Sequence, residues 1–297
     1  MSDNTATLRR KIVNAEELKS VVHTMKIIAS SNIGQYRKSV EALADYYRNV
    51  ELALSLCLRE SVQVPLSEET NSQSNKRIIS SVVFGSDQGL VSQFNDVVAD
   101  YAIKNLAALS GKQQVWAVGE RVYLLLKEAG IPVMGLFPVP NSIKSVTPLV
   151  WKILIESEAQ RKQGKVNELH IFYNRTSSVA GYSPVSQRIL PLDENWSHKL
   201  TDIPWPGKNL PQIIGNVDEN IRMLIQEYLF VSLFRACTES LASENASRLA
   251  SMQRADKNID ELLGNLNSLF HRLRQSSIDE ELFDVISGFE ALNVHKI

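Results

Sequence analysis

Residues 8–31 read LRRKIVNAEELKSVVHTMKIIASS and open a run from Leu8 to Cys57 that contains no proline and a single glycine, Gly34. Apolar residues recur along this run in two rows with a step of seven. The first row is Ile12, Ile33, Val40, Tyr47 and Leu54, and the second is Ala15, Val22, Ala29, Tyr36, Leu43, Val50 and Cys57. Two such rows, three residues apart, predict one long helix with a coiled-coil seam.

Two positions of the first row are lysines rather than apolar residues. Lys19 and Lys26 stand where the step of seven would place the seam. Their neighbours Leu18 and Met25 are apolar, and a straighter helix lets the seam drift by one residue. We therefore expect Leu18 and Met25 to take over the seam at these two positions.

The C-terminal stretch from Ile213 to Leu292 follows the last proline, Pro211, and also predicts a long helix, with Asn216 or Asp218 near its start. Helices of these two lengths would be rods of about 75 Å and about 120 Å at 1.5 Å per residue. Rods of this length can bury their apolar seams by pairing with each other in an antiparallel coiled coil. The longer rod should then end in a tip whose exposed apolar residues imply a partner.

The middle of the chain alternates strand-like and helix-like segments. The predicted strands are 77–84, 114–118, 132–137 and 168–174, with 187–192 as an edge strand, and the predicted helices are 93–109, 120–129 and 145–163. This order predicts a mostly parallel, doubly wound, Rossmann-like α/β domain inserted between the long helices. The expected domains are a coiled-coil helix at 1–60, the α/β domain at 76–192, a linker at 193–212 and a second coiled-coil helix at 213–297.

Composition excludes several classes of protein. The net charge is −1, so no overall positive field favours nucleic acid. No run of 18 apolar residues is long enough to span a bilayer. The first residues, MSDNTATLRRK, lack the apolar core of a secretory signal, which predicts a protein that stays where it is made. In a reducing compartment, Cys57 and Cys237 are expected to be buried thiols.

Motifs for catalysis or cofactor binding are weak. Gly85-Ser-Asp-Gln-Gly89 follows the first strand, but its G-x-x-x-G spacing is neither a dinucleotide fingerprint nor a P-loop, and we expect a structural turn. The five histidines are scattered, and Ser183 and Ser186 lie outside any nucleophile elbow. We therefore expect no cofactor, no metal and no catalysis by this chain alone. The basic excess of the first helix predicts either a solvated face or contact with acidic protein surfaces.

Four blocks of the sequence resemble the gamma subunit family of F-type ATP synthases. Residues 8–31 resemble the family's I-R-x-K-I…T-x-x-M-x-x-V-A opening, and Ser86-Asp-Gln-Gly-Leu90 with Asn95 resembles its S-D-R-G-L-C-G-G-L-N loop. SENASRLASM at 243–252 resembles S-E-x-x-A-R-M-x-A-M, and RQSSIDEEL at 274–282 resembles A-R-Q-x-x-I-T-x-E-L. The resemblance covers the whole chain in order and spacing.

This resemblance implies a rotor in the central stalk of an ATP synthase. The coiled coil would turn inside a ring of three alpha and three beta subunits, and its asymmetry would set the nucleotide state of each catalytic site. The α/β domain would contact the epsilon subunit and the ring of c subunits. The implied location is peripheral, on the cytoplasmic face of the cell inner membrane, with membrane contact only through the c ring.

The resemblance also implies which residues contact partners. Met25 and Lys26 match the neck of the bearing, the Arg274-Gln275 pair matches a contact with a loop of beta, and Arg248 and Glu281 match residues of the two C-terminal blocks. Asp87, Gln88 and Gly89 match the loop at the foot. Gln88 replaces the usual arginine, Val91-Ser92-Gln93 replaces C-G-G and Asp279 replaces a common threonine, which indicates a diverged branch.

An alternative hypothesis is a coiled-coil adaptor protein with an α/β ligand-binding head. It rests on the same seam and on the departures at 88–93, and it predicts a stable homodimer. For the rotor hypothesis, the sequence leaves open whether the coupled ion is a proton or sodium, and whether the complex mainly makes or hydrolyses ATP.

Overall fold

The computed structural model describes residues 5–60, 78–162, 168–177, 181–192, 194–209 and 211–294. The helices in these ranges are α1 (Thr5–Glu60), α2 (Phe94–Ala108), α3 (Glu120–Glu128), α4 (Ile143–Lys162), α5 (Glu194–Thr201) and α6 (Val217–Val294). The strands are β1 (Ile78–Phe84), β2 (Lys112–Val118), β3 (Val133–Phe137), β4 (Glu168–Ser177) and β5 (Gly181–Leu190).

The chain divides into two compact units. The first, called the helical unit below, consists of residues 1–28 and 249–297. The second, called the sheet unit, consists of residues 29–248. Each of the long helices α1 and α6 contributes one part to each unit.

The sheet unit is built on one five-stranded sheet in the order β3-β2-β1-β4-β5. Strands β1 to β4 are all parallel to one another, and β5 pairs antiparallel with β4. Val83, Val115 and Phe172 face one apolar cluster with α2 and α3. Phe84 and Ile171 face another cluster, which includes residues of α4 and α6. Helices cover both faces, so the predicted doubly wound α/β domain is confirmed.

Helices α1 and α6 run antiparallel in each unit. In the sheet unit, Asn32 of α1 hydrogen-bonds Asn245 of α6, and Tyr46 of α1 hydrogen-bonds Glu227 of α6. Residue numbers therefore rise along α1 in the direction in which they fall along α6. The second predicted seam row is buried or half-buried throughout: Ala15, Val22, Ala29, Tyr36, Leu43, Val50 and Cys57. The predicted coiled coil of the two terminal helices is therefore confirmed.

Two boundaries near the start of α6 differ from the prediction. The segment predicted as a linker includes the helix α5, whose Trp196 ring lies 5.3 Å from the Tyr228 ring of α6. The long helix begins at Val217, not at Ile213, because Asn216 caps it: the Asn216 Oδ1 accepts a hydrogen bond of 2.9 Å from the Asp218 backbone N–H.

The edge strand β5 begins six residues earlier than the predicted 187–192 and ends at Leu190. Gly181-Tyr-Ser-Pro-Val-Ser186 reads like a turn because of Pro184, but a proline is tolerated on an edge strand, where its missing N–H can face away from the sheet. Pro184 pairs in register with Asn174 of β4. The result is a long β4–β5 hairpin beside α6.

Both cysteines are free thiols in the interior. Cys57 is 5% exposed and Cys237 is 1% exposed, as expected. Burial raises the pKa of both thiols, so both stay protonated at neutral pH.

Candidate functional site

The first candidate site is the loop after β1, which contains the predicted foot residues Asp87, Gln88 and Gly89. It lies at the carboxyl end of the sheet, where β1 has β2 on one side and β4 on the other. In doubly wound folds this change of direction is where ligands usually bind. The loop therefore decides whether this sheet could hold a nucleotide.

The loop is held in place by the chain's own groups. The Asp87 carboxylate accepts hydrogen bonds from the backbone N–H groups of Glu120, at 3.0 Å, and Val139, at 2.9 Å. The backbone N–H of Ser86 donates to Asn95 Oδ1 at 2.9 Å. Asp87 thus places a negative charge at the N-terminus of α3, a position that would otherwise favour an anion.

Helix α6 fills the adjoining space. The Ser247 hydroxyl donates a hydrogen bond to the Val91 carbonyl oxygen, and the Phe94 and Tyr182 rings meet edge to face at 5.3 Å. Asn174 donates to the Phe94 carbonyl oxygen at 2.8 Å. At this sheet the usual ligand position is therefore a junction with the long helix, and Gln88 and Leu90 present exposed side chains beside it.

Removing the Asp87 carboxylate should destabilise the sheet unit. Asp87→Ala leaves the N–H groups of Glu120 and Val139 without their acceptor, which should cost about 1–2 kcal/mol. Asp87→Asn keeps one oxygen acceptor and should cost less. Urea unfolding followed by tryptophan fluorescence measures both, with the exposed Asp100→Ala as the control. Equal stability of Asp87→Ala and Asp100→Ala would contradict the capping role.

A buried ion pair lies on α6 near the end of the sheet unit. The Arg248 Nη2 is 2.7 Å from the Glu244 Oε1, and the side chains are 16% and 6% exposed. Burial raises the pKa of the Glu244 carboxyl, and Arg248 opposes that rise. Arg248, predicted as a partner contact, is thus engaged within its own helix, and its contact with another subunit stays a prediction.

In the helical unit, both seam lysines pair across to α6. The Lys19 Nζ is 2.6 Å from Asp260 Oδ1, and the Lys26 Nζ is 2.5 Å from Asp256 Oδ2. Leu18 is 57% exposed, so the expectation that it takes over the seam is wrong. Lys26, with its side chain 25% exposed, stays in the seam, and Lys19, at 46%, lies at its edge; aspartates four residues apart on α6 receive both charges. We did not predict these aspartates as partners of the lysines, although a lysine at a seam position indicates an acidic residue on the facing helix.

The Lys26–Asp256 pair should make stability depend on pH. A hydrogen bond from Lys26 lowers the pKa of Asp256, so the pair stabilises the fold above the ordinary carboxylate range and loses this effect as pH falls through the lowered pKa. Asp256→Asn should lower the melting temperature at neutral pH, and its difference from wild type should shrink in acid. Thermal unfolding of the variant and the wild type at neutral pH and in acid measures this difference, with the exposed Glu261→Gln as the control. A pH-independent difference would count against the pair.

The remaining predicted contact residues lie on the surface of the helical unit. Met25 is half-buried, and Arg274, Gln275 and Glu281 are exposed. Arg274 and Glu281 line one groove, together with Arg9 and Arg10 of α1, whereas Gln275 is not among its lining residues. Large apolar side chains are also exposed on this stretch of α6: Ile278, Leu282, Phe283, Val285 and Ile286.

In the described part of the chain, no helix combines the length and apolar character needed to cross a bilayer. Within the same residues, no three or more histidine, cysteine, aspartate or glutamate side chains are grouped so as to hold a metal ion.

Comparisons with known proteins agree with one another. A family model described as ATP synthase matches residues 4–292. The ATP synthase gamma chain of Clostridium pasteurianum is 25% identical over 301 residues, covering 98% of this chain and 99% of that protein.

Two solved structures share the fold. A chain in the rotor of Euglena gracilis mitochondrial ATP synthase has a TM-score of 0.59 at 16% identity, covering 92% of this chain and 98% of that one. A chain in the central stalk and c ring of Tetrahymena thermophila mitochondrial ATP synthase has a TM-score of 0.55 at 16% identity, covering 79% and 99%.

Proposed function

The chain belongs to the ATP synthase gamma family, and on that premise we propose how its parts serve a rotary machine. As a gamma chain it is a non-catalytic subunit of the central stalk. It couples ion flow through the membrane sector to ATP synthesis or hydrolysis by rotation. The alternative of a coiled-coil adaptor has no such support.

The observation that carries this function is the exposed surface of the helical unit. Phe283 is 68% exposed and Val285 is 69% exposed, in a helix whose neighbouring turns also expose Ile278 and Leu282. A patch of this kind on a soluble coiled coil implies a surrounding protein. We assign the alpha and beta subunits to this role, three of each around one gamma chain.

The groove beside this patch supplies charge for the same contact. Arg9, Arg10 and Arg274 bring three guanidinium groups to its lining, and each can hold a carboxylate through two hydrogen bonds. In the proposed complex, Arg274 and Gln275 contact a loop of beta. Met25 and Lys26 lie at the neck of the bearing, while Arg248 and Glu281 complete the set of contact residues.

The foot loop is the proposed contact with the other rotor subunits. Gln88 is exposed and Gly89 half-exposed, in a loop that the Asp87 carboxylate ties to the backbone N–H groups of Glu120 and Val139. The epsilon subunit and the c ring are the assigned partners. The chain then sits peripherally at the cytoplasmic face of the inner membrane and touches the membrane only through the c ring.

Purification of the tagged chain from its own cells tests the assembly. The expected result is a complex with alpha and beta in equal numbers, three of each per gamma chain, that hydrolyses ATP. A homodimer without a nucleotide-hydrolysing partner would overturn the proposal.

The double variant Arg274→Ala, Gln275→Ala tests the assigned contact in that complex. It should lower the rate of ATP hydrolysis by roughly tenfold if each side chain contributes about 0.7 kcal/mol to the rate-limiting step. Arg272→Ala removes an exposed arginine from the same stretch of α6 and serves as the control. Equal activity of the double variant and the control would remove the two residues from the contact.

A further inference from the structure

Helix α6 carries a buried polar stripe on the side that meets the sheet. Glu239, Ser243 and Ser247 follow one another at steps of four, so they lie along one face of the helix. They are 7%, 1% and 6% exposed. Buried polar groups in a contact between a helix and a sheet require a reason, because an apolar residue of similar size would pack there without needing a hydrogen-bond partner.

Each member of the stripe binds a different residue of the sheet or of its loops. The Glu239 Oε2 accepts from the Arg175 Nε at 2.9 Å, and the Ser243 hydroxyl lies 3.0 Å from the Thr176 hydroxyl. Ser247 donates to the Val91 carbonyl oxygen. Two of these partners belong to the end of β4, and the third belongs to the loop after β1. The stripe therefore spans the sheet's carboxyl edge over about 12 Å of helix.

The Glu239 end of the stripe is the most strongly anchored. Its second oxygen accepts from the Arg235 Nε at 2.8 Å, so two guanidinium groups hold one carboxylate. The Arg175 Nη2 also donates to the Tyr173 hydroxyl, which fixes the arginine on β4. Charge-assisted bonds of this kind are stronger than neutral ones and define the orientation of both partners.

The hydrogen bonds of this stripe differ from the apolar contacts around it because their strength depends on the angle between donor and acceptor. The hydrophobic effect is non-directional and scales with the apolar area removed from water. Hydrogen bonds weaken steeply when the donor angle departs from linear. Three bonds to separate points on one helix face therefore fix the rotation of α6 about its own axis relative to the sheet.

We propose that the stripe of Glu239, Ser243 and Ser247 transmits torque between the sheet and α6. The proposal rests on the function given above, in which the sheet body and the long helix must turn together. Apolar contacts in the same interface supply most of the stability, while the stripe prevents the helix from slipping under load.

Ser240 of the same helix provides a matched control. It is 3% exposed, and its hydroxyl has no hydrogen-bond partner among the residues that the structure describes. Ser240→Ala thus removes a buried hydroxyl from α6 without removing a bond to the sheet. Any effect of serine removal as such will appear in this variant.

The experiment uses the complete ATP synthase in vesicles, with the wild-type chain or the variant Glu239→Gln, Ser243→Ala, Ser247→Ala. An oxonol dye records the membrane potential formed per ATP hydrolysed, which requires no knowledge of the ion. The triple variant should hydrolyse ATP but form about threefold less potential per ATP. Ser240→Ala should match wild type.

A covalent link separates slipping from simple loss of structure. In a Glu239→Gln, Ser247→Ala background, Thr176→Cys and Ser243→Cys replace two hydroxyl oxygens that lie 3.0 Å apart. Oxidation should join the two sulfurs and restore the potential per ATP, and reduction should abolish the recovery.

The outcomes distinguish this proposal from the assigned function. A triple variant with wild-type potential per ATP overturns the torque role, as does one that loses assembly and hydrolysis together and is not recovered by oxidation of the cysteine pair. A wild-type chain that forms no potential when ATP is hydrolysed would instead overturn the assigned function.

Discussion

Gly119→Ala should destabilise the sheet unit by more than about 3 kcal/mol, from backbone strain together with a steric clash. Gly119 precedes α3 with φ of 109°, a conformation that residues with a side chain rarely adopt. A Cβ at this position would lie 2.8 Å from the backbone N, C and O atoms of Ser86. Those atoms cannot retreat, because Asn95 holds the Ser86 backbone N–H.

Gly130→Ala separates the effect of backbone strain from that of the steric clash. Gly130 also has a positive φ, 75°, but nothing lies within 4 Å of a Cβ added there. It should cost only about 1–2 kcal/mol, the strain of a left-handed conformation by itself. Urea unfolding of both variants gives the comparison. If Gly119→Ala proves no more destabilising than Gly130→Ala, the close approach of the two loops is not a constraint on the fold.

Arg248→Ala should be the second large effect, at about 3–5 kcal/mol at neutral pH, because it leaves a buried carboxylate unpaired. The Glu244 side chain is 6% exposed, and Arg248 is the group that lies 2.7 Å from its carboxylate oxygen. Arg248→Lys keeps the charge but not the planar guanidinium and should lose less. The free energy of unfolding in urea measures the loss.

The pH dependence of the stability loss in Arg248→Ala shows whether the unpaired charge of Glu244 causes it. Burial raises the pKa of Glu244, so the folded state binds its proton more tightly than the unfolded state, and stability falls as pH rises through the folded pKa. Without Arg248 the pKa rises further. The loss in Arg248→Ala should therefore be larger at pH 8 than at pH 5, and Glu244→Gln in the same chain should remove that dependence. A pH-independent loss would mean that Arg248 acts through packing.

Local patterns in the sequence were sufficient for the architecture. The alternation of apolar segments predicted strands β1 to β4 and the helices between them, and the row that contains Ala15 and Tyr36 predicted the buried seam. Asn216 marked the start of α6 by its own chemistry, since a side-chain oxygen at this position satisfies a backbone donor. Each of these features depends on neighbours within a few residues or on a simple period.

Features that depend on the meeting of distant segments were not predictable in the same way. Lys26 and Asp256 are 230 residues apart, and their pairing follows from the axial register of two helices. Glu239 and Ser243 look in the sequence like solvated positions of a long helix, and only the β4–β5 hairpin turns them into a buried contact. The roles of Arg274, Gln275 and Glu281 depend on other chains and stay predictions.

The burial of Cys57 and Cys237 has a practical consequence for watching this protein at work. Neither thiol is accessible or readily ionised, so neither should react with a maleimide dye while the chain is folded. A single cysteine introduced at an exposed position outside the proposed contacts, such as Asp100, should then be the one site that takes up label. The natural sequence is therefore already suited to attaching a fluorophore and following rotation molecule by molecule.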